Sequence, residues 1–412
     1  MVSVAVMGYG VVGSGTVEVF YKNHESLVKK CGGPVEITRI LDLRDFPDSP
    51  YQDRFTKSFD DILNDGDIRV VVEVMGGLHP AYDYVKACLE KGKSVVTSNK
   101  ELVAAKGQEL LAIARDKGCN FLFEASVGGG IPIIRPLHQC LAANDIDEIV
   151  GILNGTTNFI LTKMIHENMS FEDALSLAQK LGYAERDPSA DVDGHDACRK
   201  ICILASLAFG WHVYPEQVKT EGIRKIQSAD VAYAAAWGGA IKLIGTVKKL
   251  ESGKLSIYVT PALIPGSSQL CTVDDVFNGI MVRGDAIGDV VFYGKGAGKL
   301  PTASAVVADV IDAVRHLNSS KSIYWEDSAP GYIEEYENSI SGMYVRAAAL
   351  EGSYERQVRE AFPSARFITR EGAPENEFAF VTGEMPLWQF RRDLCRLGET
   401  IRVENALRIA DC

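Results

Sequence analysis

The 412-residue chain has no long apolar run: none reaches the roughly 20 residues that cross a bilayer. It carries no excess of base. Lysine and arginine total 43 against 55 aspartates and glutamates, a net charge of −12, so neither nucleic acid nor an anionic membrane is expected as a partner. It has no disulfide or zinc framework. The nine cysteines are an odd number and scattered; Cys198 and Cys202 share a helix face, but no third and fourth ligands stand at zinc spacing. Reduced thiols in a cytoplasmic protein are the expectation. There is no internal repeat, no low-complexity segment and no basic segment ahead of the first strand, so no export signal is read. What is present is an apolar fraction of 46%, enough for several buried cores, in a length that suggests two or three domains.

Val2 to Met7 reads as a buried strand that runs into Gly8-Tyr9-Gly10-Val11-Val12-Gly13, with a helix expected over 11–30. G-x-G-x-x-G alone is a weak signal; between a strand and a helix it is a dinucleotide-binding turn. Gly8 permits the tight turn, Gly10 lets backbone approach a pyrophosphate, Gly13 allows close helix–strand packing, and the helix N-terminus at Val11 and Val12 faces the phosphates. A second strand, 36–43, ends near Asp42 and Arg44. An acid there binds a ribose 2′-hydroxyl and an arginine a 2′-phosphate, so NAD and NADP both stay open. Two apart on a strand, the pair points one way and can join. Strands at 70–74, 94–97 and 120–124 alternate with helices at 60–65, 80–91 and 102–117. That pattern predicts a doubly wound parallel sheet, with Gly76, Ser98 and Lys100 lining the cofactor at the strands' carboxyl ends.

The stretch Gly182 to Lys200, GYAERDPSADVDGHDACRK, packs Glu185, Arg186, Asp187, Asp191, Asp193, His195 and Asp196 ahead of an apolar helix. Asp196 and Lys200 stand four apart, on one helix face. Acids at a helix N-terminus are also favoured by the helix dipole alone. A calcium loop is excluded, because its twelfth position is Lys200 where a bidentate Glu is needed. The functional reading is a loop that grips an ammonium-bearing small molecule while Lys200 moves a proton, which requires its ammonium to be desolvated or set beside other cations.

Between these regions, EASVGGGIP (124–132) leaves the first domain. A strand at 147–153 leads into Asn154-Gly155-Thr156-Thr157-Asn158 as a turn or helix cap. Helices follow at 158–168, 171–181 and 195–209, then strands at 240–250, 254–263, 278–283 and 288–293, with a turn at Ser252-Gly253. A glycine run, 294–298, precedes a return helix, 302–317. Residues 319–335 read as a polar linker. The tail reads βαββαβ, a ferredoxin-like module. The expected architecture is a Rossmann domain over 1–135 completed by 299–318, an α+β substrate domain over 136–298, and a small ferredoxin-like domain over 336–412.

GYGVVG, TSNKE (97–101), EASVGGGIP, LNGTTNFIL (153–161), LGYAERDPSADVDGHDACRK (181–200) and GAGKLPTASAVVAD (296–309), in this order, resemble the homoserine dehydrogenases. The resemblance spans residues 1 to about 318. It implies NAD(P)-dependent interconversion of L-homoserine and L-aspartate 4-semialdehyde. Lys200 then resembles the acid/base lysine, and Lys100 a second lysine near substrate and nicotinamide. Gly182, Glu185, Asp191 and Asp196 match substrate-binding positions, and Gly298 the glycine that returns to the cofactor. Glu124, Val127, Gly129 and Ile131 match positions that hold a monovalent cation, sodium, mostly through backbone carbonyls. A homodimer or homotetramer is implied, as is an ACT-like tail. The tail departs from the family's acid-x-Pro-Gly turn, carrying Leu350-Glu351-Gly352-Ser353 instead. A neighbouring class that acylates a cysteine wants Asn-Cys; here the order is Cys119-Asn120, a core thiol.

Overall fold

The computed structural model describes residues 1–352, 354–410 and 412. It divides into two compact units: Met1–Asp145 with Cys202–Pro215 and Gly294–Ala329, and Ile146–Ile201 with Glu216–Tyr293 and Pro330–Cys412.

The first unit is built on a six-stranded sheet: β1 (Val2–Met7), β2 (Val35–Leu41), β3 (Phe55–Thr56), β4 (Ile68–Glu73), β5 (Ser94–Thr97) and β6 (Phe121–Leu122), in the order β3-β2-β1-β4-β5-β6. Every pairing is parallel. Near-continuous β-branched runs such as Val70-Val71-Val72, all fully buried, suit a sheet covered on both faces. Each such side chain contributes about 1.5–3 kcal/mol on burial. The order reverses between β1 and β4, where ligands bind in doubly wound sheets. The expected helix over 11–30 is two helices, Val11–Lys22 and His24–Cys31, broken at Asn23, whose φ of −111° and ψ of 18° leave the helical basin. The return helix, Lys299–Arg315, packs on Val11–Lys22, where a Cβ on Gly15 would meet Lys299 and Ala303. Residues 319–329 are docked on this unit, contrary to a free linker: Trp325 is buried and donates its indole N–H to His212 Nδ1 at 2.8 Å.

The second unit holds an eleven-stranded sheet. Its strands are β7 (Ile146–Ile152), β8 (Lys219–Thr220), β9 (Gly239–Lys249), β10 (Leu255–Pro265), β11 (Phe277–Gly284), β12 (Gly288–Lys295), β13 (Ile340–Ala349), β14 (Arg366–Ile368), β15 (Glu377–Val381), β16 (Met385–Pro386) and β17 (Ile401–Ile409). β9 and β10 form the expected hairpin, turning where Gly253 adopts φ +80°. The tail has the strand order β17-β13-β15-β14 of a ferredoxin-like sheet, all antiparallel.

The tail, however, is no separate unit. β17 pairs with β10, so its strands continue the same sheet. A buried polar cluster adds to the join. Asp230, on the helix Ser228–Trp237, accepts hydrogen bonds from Arg346 Nε at 2.7 Å, Asn405 Nδ2 at 2.9 Å and the Tyr344 hydroxyl at 3.2 Å. Of the Leu350–Ser353 turn, Ser353 lies outside the described residues.

Candidate active site

At the carboxyl end of the first sheet, Gly8 and Gly13 sit where side chains cannot. Gly8 has φ +99°. A Cβ on Gly13 would lie 1.9 Å from the Gly8 carbonyl oxygen, whereas one on Gly10 would meet nothing within 4 Å. Gly10 therefore opens a path for a ligand to the first turn of Val11–Lys22, where Val11 is exposed and Val12 half-buried. Asp42 and Arg44 do pair: Arg44 Nε and Nη2 donate to the two Asp42 oxygens at 2.9 and 2.8 Å. Those bonds hold the Asp42 carboxyl far below its ordinary value. Asp42 also accepts the Tyr9 N–H at 2.8 Å, which ties it to the glycine turn.

Two further loops end at this edge. Asn99 caps the helix Lys100–Asp116 by accepting the Leu102 N–H at 3.1 Å, so Lys100 stands in its first turn, half-buried. Gly76, at φ +79°, is exposed, and Ser98 is half-buried. Glu73, fully buried at the end of β4, joins the loops: it accepts the N–H groups of Met75 and Gly76 at 2.8 and 3.2 Å and the Thr97 hydroxyl at 2.6 Å. Burial pushes its carboxyl above the ordinary value, outweighing these bonds. Gly298, at φ +121°, caps Lys299–Arg315 and is exposed. Cys119 is buried, which pushes its thiol up to about 11, as befits a core thiol.

The Glu124 carboxylate is engaged by its own chain. Its oxygens accept the N–H groups of Ile133, Ile134 and Arg135 at 2.6, 2.8 and 2.9 Å. The loop through Val127, Gly129 and Ile131 is buried and curls back, with Ile131 N–H on the Gly128 carbonyl at 2.9 Å and Gly129 at φ +58°.

In the second unit, Lys200 and Asp196 meet as their spacing requires: Nζ lies 2.8 Å from Asp196 Oδ2, with the two side chains 8% and 6% exposed. Nζ also donates to the Leu153 carbonyl at 2.7 Å. Asn154 draws in the second acid. Its Nδ2 donates to Asp191 Oδ1 at 2.7 Å and Asp196 Oδ2 at 2.8 Å, while its Oδ1 caps the helix Gly155–Glu167 by accepting the Thr157 N–H at 2.8 Å. Gly182 and Glu185 lie on the exposed rim of this loop. The Thr156 hydroxyl holds it through the Tyr183 carbonyl at 2.6 Å, and Gln179 through the Glu185 carbonyl at 3.0 Å. Asp193 is turned to another purpose, pairing with Arg224. A buried ammonium beside a carboxylate, with exposed acid nearby, can exchange a proton with a small polar molecule that carries its own cation.

Comparison with known proteins bears on this geometry. Residues 8–124 match a family model described as the NAD binding domain of homoserine dehydrogenase, and residues 132–311 one described as homoserine dehydrogenase. A homoserine dehydrogenase of Pseudomonas aeruginosa is 44% identical over 319 residues, 77% of this chain and 73% of that protein. One from Synechocystis is 46% identical over 324 residues, 77% of this chain and 75% of that one. The chain belongs to the homoserine dehydrogenase family. The crystal structure of a homoserine dehydrogenase from Thiobacillus denitrificans is 34% identical, with a TM-score of 0.90, covering 100% of this chain and 98% of that one. A hyperthermophilic archaeal homoserine dehydrogenase in complex with NADPH is 28% identical, with a TM-score of 0.64, and covers 76% of this chain and 97% of that one.

Against the homoserine dehydrogenase motifs, two residues stand out that the sequence did not single out for the site. Asn154 reads from the sequence as a turn or helix cap within the LNGTTNFIL motif, with no role of its own at the site. Its bridging of Asp191 and Asp196 joins positions 37 and 42 residues away, which no local pattern shows. Glu73 closes an apolar strand and carries only one cue, an acid at the end of a run that should be fully buried.

Proposed function

We propose that this protein interconverts L-homoserine and L-aspartate 4-semialdehyde with NAD(P). The observation that carries the reading is the Lys200 ammonium, buried against Asp196 and the Leu153 carbonyl, in a chain of this family. A bound nicotinamide cofactor supplies or accepts the hydride. In the reduction direction Lys200 gives its proton to the aldehyde oxygen as negative charge develops there, and its positive charge stabilises that oxygen. In the oxidation direction the neutral amine takes the hydroxyl proton. Glu185, exposed, and Asp196 bind the substrate, with Asp191 as another acid of the pocket and Gly182 in the same loop. Lys100 is the reading's second lysine, in the first turn of its helix. Gly8, Gly10, Val11, Val12, Gly13, Gly76, Ser98 and Gly298 hold the cofactor, and Arg44 serves a 2′-phosphate. Because Asp42 already occupies that guanidinium, both cofactors are used, with a modest NADP preference.

The loop from Glu124 to Ile131 fits a monovalent cation such as sodium. Its carboxylate is spent on backbone N–H groups, which leaves neutral backbone carbonyls as the oxygen donors. Thermal unfolding in sodium against a bulky organic cation tests this without turnover: specific stabilisation by sodium supports it, and equal midpoints contradict it. The protein works as a homodimer or homotetramer, with residues 336–412 as an ACT-like module supporting assembly; light scattering decides the oligomer.

Steady-state oxidation of L-homoserine with each cofactor tests the main reading. Cofactor reduction dependent on homoserine supports it. Tight cofactor binding without turnover would make the protein a cofactor-binding sensor instead.

A further inference from the structure

Asn154 does more than begin a helix. Its orientation is fixed, because Oδ1 accepts from the Thr157 N–H at 2.8 Å and the Thr157 hydroxyl at 3.0 Å. The amide donors are thereby aimed at the acids, and Asp196 Oδ2 receives two of them at once: Asn154 Nδ2 at 2.8 Å and Lys200 Nζ at 2.8 Å. A carboxylate oxygen that serves two donors stabilises each less than one that serves a single donor. The preceding residue, Leu153, gives Lys200 its other acceptor, at 2.7 Å. Residues 153 and 154 thus hold the lysine and both acids from one strand end. All the side chains involved are nearly buried except Asp191, which is half-buried, so the charges act on one another with little screening by water.

We infer that Asn154 is a positioning residue that sets where Lys200 exchanges its proton, by sharing the Asp196 carboxylate with the ammonium and pinning Asp191 beside it. Asp196 faces Lys200 from its own helix, and Asp191 is tied to it from the helix Ser189–Val192 by way of Asn154. The strand end offers a neutral carbonyl. Replacing the amide by a carboxylate keeps the capping oxygen but sets a third acid against two, which favours the charged lysine. Replacing it by serine keeps a cap and removes the bridge.

The inference rests on the homoserine reading, and the experiment separates the two. The pH dependence of kcat for homoserine oxidation is measured for the full chain, Asn154→Asp and Asn154→Ser. In this direction the lysine must be neutral, so the ascending limb reports loss of its proton. Asn154→Asp should move that limb up by about one pH unit or more, the scale of an added opposite charge close to the ammonium. Asn154→Ser should raise the homoserine KM about tenfold or more, a loss of about 1.4 kcal/mol, with cofactor KM unchanged. Limbs and homoserine KM equal to those of the parent chain, with only the melting temperature lowered, would make Asn154 a helix cap and overturn the inference. If Asn154→Asp does not fold, the KM split of Asn154→Ser decides alone. No homoserine turnover by the parent chain would fail the underlying reading instead.

Discussion

At the carboxyl end of the first sheet the ligand-facing surface is largely backbone, shaped by side chains that are missing: Gly8, Gly10, Gly13, Gly76. Around Lys200 in the second unit it is side chains, held by an amide that touches both acids. The two regions therefore fail in opposite ways. The first tolerates no added atom at Gly13, whereas the second tolerates no lost charge or donor. The same contrast runs beyond the sites. The first sheet is sealed by valines, and the second unit's tail is joined by the Asp230 cluster, with Arg346 and Asp230 at 4% and 0% exposure.

The largest expected effect is a loss of charge in the second unit. Asp230→Ala takes the nearer acid from Arg346, which keeps Glu377 at 3.3 Å, and strips Tyr344 and Asn405 of their buried acceptor; breaking a buried pair on one side costs about 3–5 kcal/mol. Denaturant unfolding should show this, and a change under 1 kcal/mol would mean that the cluster is hydrated. Next comes an added methyl in the first unit. Gly13→Ala places its Cβ on the Gly8 carbonyl, an overpacking cost of about 1–3 kcal/mol, with cofactor affinity reduced more than tenfold. Unchanged affinity by calorimetry would show that the turn can shift.

Glu73→Gln tests a place where the backbone-built region depends on a buried carboxyl group. The folded state raises the Glu73 carboxyl above its ordinary 4.5, so it keeps a proton that the unfolded chain has released. That contribution to stability is fully present below 4.5 and is lost as pH rises through the folded value. The melting temperature of the parent chain relative to Glu73→Gln should therefore fall as pH rises above about 4.5, and parallel curves would contradict the assignment. The variant should also weaken cofactor binding, because its amide keeps one acceptor oxygen for the Gly76 loop but sets an NH2 where Oε2 accepts the Thr97 hydroxyl. Arg44→Ala should have the smallest effect. It should lower the NADP-over-NAD preference by less than about tenfold, since Asp42 already competes for the guanidinium. Selectivity for NAD in the parent chain would show that Arg44 does not serve the phosphate.

Much of this was legible because it is local. The glycine turn, the strand–helix alternation and the i,i+4 pair of Asp196 and Lys200 depend on residues within one turn or one strand. Elements without a local signature were not. The helix Ser228–Trp237, SADVAYAAAW, is small and apolar almost all round, so no 3.6-residue stripe marks it. The pairing of β17 with β10 joins Arg408 to Ala262 across the length of the unit, and the polar stretch before Trp325 gave no sign of its indole in the core. Of the site, the acids and the lysine were visible as residues. Which acid goes to Arg224, and that Asn154 bridges Asp191 to Asp196, is a matter of packing.

The most direct measurement is single-turnover hydride transfer by Lys200→Ala beside its cofactor affinity. Loss of the proton donor should slow homoserine oxidation by roughly 10²–10⁴ while cofactor binding changes little. A loss below tenfold, or an equal loss in cofactor binding, would contradict Lys200 as the group that moves the proton.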